Sequence, residues 1–208
     1  ASAGPGTKIY NASTASNEIT IEAWVVPANT TQGGPSRIVT MSLDPLNRNF
    51  TLAQEMVEYV GRLRTTVTGP NGTSPQLFSG GSPVTTSLSH VVYTRDVSGL
   101  ARIYVNGTEI ASRADITGNL SNWDPTFRFG LANEFTMNRT WLGEYYLAAV
   151  YSRALAPVEV CQNFAAGPDV PGAPSNNISG TVFHDVDGDA AVSAPEGIFS
   201  NATVRLFL

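Results

Sequence analysis

The chain is short of charge. Only 14% of its 208 residues are Asp, Glu, Lys or Arg, against roughly 25% in an average soluble protein. Twelve basic and seventeen acidic residues leave a net charge of −5, and no run of basic residues marks a nucleic-acid surface. There is one cysteine, Cys161, so no intrachain disulfide framework exists. In its apolar segment Cys161 reads as a small buried hydrophobe, with an intermolecular disulfide as the alternative. Two histidines, His90 and His184, lie far apart, which argues against structural zinc. No apolar run reaches the length of a membrane span. No basic, apolar leader opens the sequence, so a secreted protein would be met here with its signal peptide already removed.

Hydroxyl residues fill the gap: 21 Thr and 18 Ser. Asn-x-Ser/Thr sequons occur nine times, at Asn11, Asn29, Asn49, Asn71, Asn106, Asn119, Asn138, Asn177 and Asn201. Chance at this composition predicts roughly three. The excess leads to the expectation of extensive N-glycosylation, and hence of an extracellular or cell-surface protein. Asn-Gly-Thr is also good turn chemistry, which accounts for Asn71 and Asn106 alone.

The pattern along the chain is strand after strand. Residues 1–18 read as an extended leader and a first strand region. Ile19, Ile21, Ala23 and Val25 alternate on one face of a strand. Further strands are expected over 37–42, 49–55, 59–67, 90–95, 101–105, 109–112, 126–131 and 140–151, with a polar loop over 68–89. Asn106-Gly107 is a strong hairpin signal, because both central residues of a type I′ turn need positive φ. Pro157 and Gly167 bracket a short helix that presents Val160, Cys161 and Phe164. Residues 168–176 form a Pro-rich linker. Beyond it, strands over 178–183 and 201–208 begin a second unit too small to make a core of its own. The expected fold is all-β: a two-sheet antiparallel jelly-roll sandwich over 19–167 with a short C-terminal helix, then a partial immunoglobulin-like unit over 177–208.

Several segments resemble laminin G-like domains of the concanavalin A-like lectin/glucanase type: Ile19–Pro27, His90–Arg95, Arg102–Gly107, and Trp141–Glu144 through Ala148–Leu155 with the helix behind it. The resemblance covers about 8–167 and implies a two-sheet jelly roll. A second resemblance lies at 177–208. Asp185, Asp187, Asp189 and Glu196 stand at positions 1, 3, 5 and 12 of a loop, with the Ala191 carbonyl at position 7, which is calcium-loop spacing. With Gly180–Phe183 ahead and Ala202–Leu206 behind, this is similar to the start of a B-type repeat of bacterial surface adhesins and implies a bound Ca2+. The position-6 glycine is replaced by Ala190, which costs roughly 1 kcal/mol if positive φ is required there.

The lectin/glucanase resemblance obliges a search for catalysis. Retaining sandwich glucanases set two carboxyls on alternating positions of one strand, about 5–5.5 Å apart. No Glu-x-Asp-x-Glu string occurs. Glu55 and Glu58 read as solvated edge carboxylates, Glu22 as isolated, and His90 as lacking an acid partner. Neither a Gly-x-Ser-x-Gly elbow nor a His-Glu-x-x-His motif is present. For sugar binding, Trp123 and Asp124 are the best rim pair, with Tyr10 and Phe135 weaker. Asp44 is a further guess as a rim calcium ligand.

The expected function is therefore a non-catalytic extracellular structural or adhesive glycoprotein module. It could be a filament or stalk subunit whose immunoglobulin-like part is completed by another strand. Its partners would be protein, through self-assembly or further domains, with glycans as an alternative. A carbohydrate-binding module is the alternative function, and a glycoside hydrolase the second.

Overall fold

The computed structural model describes residue 2 and residues 4–168. Helix α1 spans Thr7–Ser16. Strands β1 (Ile19–Pro27), β2 (Ser36–Asp44), β3 (Asn47–Glu55), β4 (Glu58–Leu63), β5 (Leu77–Phe78), β6 (Ser89–Arg95), β7 (Ala101–Val105), β8 (Thr108–Arg113), β9 (Arg128–Leu131) and β10 (Gly143–Tyr151) follow, and α2 (Pro157–Ala166) closes the series. The strands form two five-stranded sheets, ordered β10-β1-β6-β7-β8 and β5-β4-β3-β2-β9, and every pairing is antiparallel. The expected sandwich with its terminal helix is what the chain forms.

The alternation of β1 sets the core. Ile19, Ile21, Ala23 and Val25 point inward and are fully buried, in one cluster with Val91 and Tyr93 of the neighbouring strand and Phe50 and Leu52 of the other sheet. The Tyr93 ring lies against Gly61 of β4, where a Cβ would stand 2.1 Å from it, so only glycine fits. The β7–β8 turn carries Asn106 at φ 51° and Gly107 at φ 77°, as the type I′ signal requires.

Residues 7–16 correct the expected extended leader: they are helical. Thr, Ser and Asn are weak helix formers, and no side chain caps the helix at Gly6. What holds α1 is tertiary. Ile9 and Tyr10 pack on the core, and Asn17 ends the helix in the left-handed region at φ 58°. Residues Leu77–Phe78, expected as loop, add the edge strand β5 by pairing with Val60 and Gly61. A second correction concerns Cys161, which is exposed on α2 rather than buried, because the helix turns Val160 inward instead.

Candidate functional site: two outer faces and a rim

The outer face of the first sheet carries Glu22, Trp24 and His90, and α2 lies over it. Trp24 stacks on His90 with ring centroids 4.7 Å apart, and Phe164 of α2 stacks on Trp24 at 5.8 Å. Glu22 is neither isolated nor solvated. His90 Nε2 donates to its Oε1 at 2.9 Å, while Tyr151 Oη and Asn163 Nδ2 each donate to its Oε2 at 2.9 Å. Burial alone would raise the Glu22 pKa. The hydrogen bonds from His90, Tyr151 and Asn163, with the nearby imidazole, outweigh it and hold the carboxyl below its ordinary value. Burial, helped by the same carboxylate, pushes Tyr151 up to about 12. This acid–base cluster resembles catalytic machinery, but the His90 and Glu22 side chains are 0% and 3% exposed. It fastens α2 to the sheet. Sequence reading missed it because the partners are 68 residues apart and meet only through the β1–β6 ladder.

The outer face of the second sheet differs in chemistry. Ser42 pairs with Arg48 across β2–β3, Thr40 with Thr51, and Thr51 with Arg62 across β3–β4, so these side chains share one face. Glu134, from the β9–β10 loop, reaches onto it. Its Oε2 accepts from Arg37 Nε at 3.0 Å, and its Oε1 accepts from the Ser42 hydroxyl. Arg37 and Arg48 are 0% and 1% exposed. Arg37, Arg48, Arg62 and Arg139 lie near enough for burial and mutual repulsion to lower the Arg48 and Arg62 pKa values. Glu134 and Glu55 are the opposing charges within reach of Arg37. The donors are not all used. Arg37 Nη2, Arg48 Nε and Arg139 Nε are buried without a hydrogen-bond partner among the described residues. A buried donor without an acceptor is costly, and this face carries three such nitrogens.

Backbone strain borders the same face. Ala132 and Met137 in the β9–β10 loop and Met56 in the β3–β4 turn adopt φ values of 64°, 59° and 55°. Non-glycine residues hold such angles only where surrounding contacts impose them. Here they are imposed by Trp141 N donating to Ala132 O at 2.7 Å, Met137 N to Glu134 O at 2.9 Å and Met56 N to Gln32 O at 2.6 Å. No sequence motif marks these positions. The signal that could have found the face is that the chain's basic residues are eleven arginines to one lysine, and four of those arginines belong to it.

The sugar-binding expectation at Trp123 and Asp124 is corrected. Trp123 is 3% exposed, packs against Phe50 and donates its indole N–H to Arg64 O at 2.8 Å, so no ring face is offered. Asp124 Oδ1 accepts from Thr126 N and Oγ1 at 2.8 and 2.6 Å, which closes a turn and holds the carboxyl pKa below its usual range. Tyr10 and Phe135 are half-buried, and Arg128 lies 4.1 Å above the Phe135 ring. Among the described residues no Trp or Tyr is exposed. Asp44 is spent on its own turn, accepting from Leu46 N, Asn47 N and Asn47 Nδ2. Glu55 and Glu58 face each other across the β3–β4 hairpin, half-exposed, with Glu55 Oε2 accepting from Gly34 N at 3.2 Å. A further cleft of about 410 Å3 opens between α1 and the end of β10, over Ile9, Phe129 and Val150.

Sequons divide by burial. Asn11, Asn106, Asn119 and Asn138 are exposed, and Asn29 and Asn71 half-exposed. Asn49 is corrected: it is fully buried, its Nδ2 donates to Asp124 O and its Oδ1 accepts from Asp124 N, both at 2.9 Å, which leaves no room for a sugar. Asn177, Asn201 and the proposed calcium ligands Asp185, Asp187, Asp189, Ala191 and Glu196 lie outside the described residues. Among the described residues no three His, Cys, Asp or Glu side chains converge as a metal site.

Two five-stranded antiparallel sheets packed face to face, closed by a terminal helix, define a jelly-roll sandwich of the kind that hosts lectins and glucanases. The chain belongs to the concanavalin A-like lectin/glucanases superfamily, whose laminin G family model matches residues 2–161. No curated protein matches the sequence. Among solved structures it is similar to a botulinum neurotoxin type C structure described by an interaction with two ganglioside molecules. The two are 14% identical with a TM-score of 0.51, over 76% of this chain and 37% of that one. It is also similar to a candidate carbohydrate binding protein from Bacteroides ovatus, at 16% identity and a TM-score of 0.51, over 72% and 41% of the two chains. At these identities the likeness is one of fold. The chain spans about two fifths of the length of these structures.

Proposed function

We propose that the chain is a non-catalytic extracellular adhesive or structural module that recognises anionic groups on its partner through the arginine-lined outer face of the second sheet. The observation that carries this reading is the gathering of Arg37, Arg48, Arg62 and Arg139 at this face against Glu134 and Glu55, with Arg62 and Arg139 half-buried rather than sealed, in a chain whose net charge is −5. Planar guanidinium groups suit carboxylate and sulfate oxygens alike. The non-catalytic part is supported by the fate of the buried Glu22–His90 pair, which is sealed beneath α2 and committed to holding it.

A carbohydrate-binding role is the second reading, favoured by the superfamily and by ganglioside and carbohydrate binding in the descriptions of the two similar structures. The buried position of Trp123 favours an acidic rather than a neutral sugar, because recognition would rest on charge and not on ring stacking. The B-type repeat, its Ca2+ loop at 185–196 and the filament role belong to the same proposal on sequence grounds alone. Chelation is expected to lower the melting temperature, and Asp187→Ala to remove that effect.

Binding of the full chain to a sulfated polysaccharide, a polyuronate and a neutral glucan, followed by calorimetry, tests the main reading. Polyanion binding that weakens about tenfold in Arg62→Gln, the loss of one charge-assisted hydrogen bond, is expected. Equal binding to the neutral glucan, or no loss in Arg62→Gln, overturns it.

A further inference from the structure

We propose that Asn11, Asn29, Asn71, Asn106, Asn119 and Asn138 carry N-linked oligosaccharides, and that Asn49, although in a sequon, does not. The inference rests on the extracellular reading above. The structure adds an observation that the sequons themselves do not contain, which is the use made of each amide nitrogen.

Among the described asparagines outside sequons, Asn47, Asn122, Asn133 and Asn163 donate through Nδ2, to Asp44, Thr65 O, Thr140 Oγ1 and Glu22 respectively, and Asn17 alone does not. The sequon asparagines behave oppositely. Asn49 Nδ2 is bound to Asp124 O, whereas the Nδ2 atoms of the other six make no hydrogen bond among the described residues. Their oxygens are the atoms put to use. Asn29 Oδ1 accepts from Thr31 N and Oγ1, both at 3.0 Å. Asn71 Oδ1 accepts from Thr73 N at 3.2 Å and Oγ1 at 2.8 Å, and Asn119 Oδ1 from Ser121 N at 3.1 Å. Asn106 Oδ1 accepts from His90 N at 2.9 Å, and Asn138 Oδ1 from Thr136 Oγ1 at 2.7 Å. In five of the six, a hydrogen bond to the oxygen therefore fixes the side chain while the nitrogen is left for modification. Asn11 lies exposed on α1.

The modification is a glycosyl transfer from a lipid-pyrophosphate-linked oligosaccharide supplied by the secretory pathway. The N–C bond forms between Nδ2 and the anomeric carbon, the C–O bond to pyrophosphate breaks, and one amide proton is lost. At Asn49 the folded chain offers neither a free nitrogen nor space, so a chain glycosylated there cannot close the contact between β3 and the loop at Asp124. None of the six acceptors lies within a strand. The sugars would hydrate turns, loops and α1, and leave the outer face of the second sheet free of them.

The test is secretion of the full chain from a eukaryotic host. Peptide N-glycosidase digestion in heavy-oxygen water and peptide mass spectrometry then follow, with Thr108→Ala and Thr108→Ser as paired controls. Label is expected at the six positions and not at Asn49, with loss at Asn106 in Thr108→Ala and retention in Thr108→Ser. Label at Asn49 in the secreted protein, or bare nitrogen at the four exposed positions, overturns the proposal. Polyanion binding measured on the same samples separates the two readings. An unlabelled protein that binds polyanion defeats this inference alone, and a labelled protein that does not bind defeats only the recognition reading.

Discussion

The two sheets treat their outer faces in opposite ways. On the first, polar groups are buried under α2, and the charge they hold is satisfied from within the chain: Glu22 takes three donors, one of them from the helix that covers it. On the second, the buried charge is predominantly cationic, and Glu134 answers only part of it. Both faces are polar and buried, so burial alone does not separate structure from function. What separates them is charge balance: Glu22 is held by three donors, while Glu134 faces several arginines, and each face keeps buried polar atoms without a partner among the described residues, His90 Nδ1 on the first and Arg37 Nη2 on the second.

The largest expected effect tests the second face. Glu134→Ala leaves Arg37 buried without its counter-ion and should cost about 3–5 kcal/mol in urea unfolding. If the loss is much smaller, Arg37 has another acceptor and the face is less cationic than described. Next is the first face. Glu22→Gln should cost about 1–3 kcal/mol near neutrality, since a charged acceptor for three donors is lost. Because the folded Glu22 pKa is depressed, its contribution is present above the unfolded value and is lost as pH falls through the lower folded one. The stability gap between wild type and Glu22→Gln should therefore close on acidification. A gap that persists in acid would show that the carboxylate is not the fastening charge. The smallest effect belongs to the exposed side of the covering helix. Cys161→Ser should change stability by less than about 0.5 kcal/mol, and a larger loss would mean that the thiol is packed against something.

The legible parts of the fold were those coded by short-range pattern. The alternation from Ile19 to Val25, the Asn106-Gly107 turn and the Pro157-to-Gly167 helix each depend on a few consecutive residues, and each is found where expected. Helix α1 was not legible, because its composition disfavours helix and only packing on the core decides it. Trp123 misled for a related reason: flanking loop residues suggested a rim, while its ring fills the space beside Phe50. Asn49 carries the same sequon pattern as Asn71, yet one is sealed by Asp124 and the other stands in a turn.

The sequence by itself determined that the chain makes a low-charge antiparallel sandwich with turns rich in potential glycan acceptors. Strand alternation and turn chemistry act over two to four residues, and composition acts over none. Only the tertiary structure decided which charges meet. Glu22 with His90, Arg37 with Glu134 and Asn49 with Asp124 are separated by 68, 97 and 75 residues. Sheet register and loop path bring them together, and neither is a local property. Whether a polar group is satisfied depends on that long-range geometry.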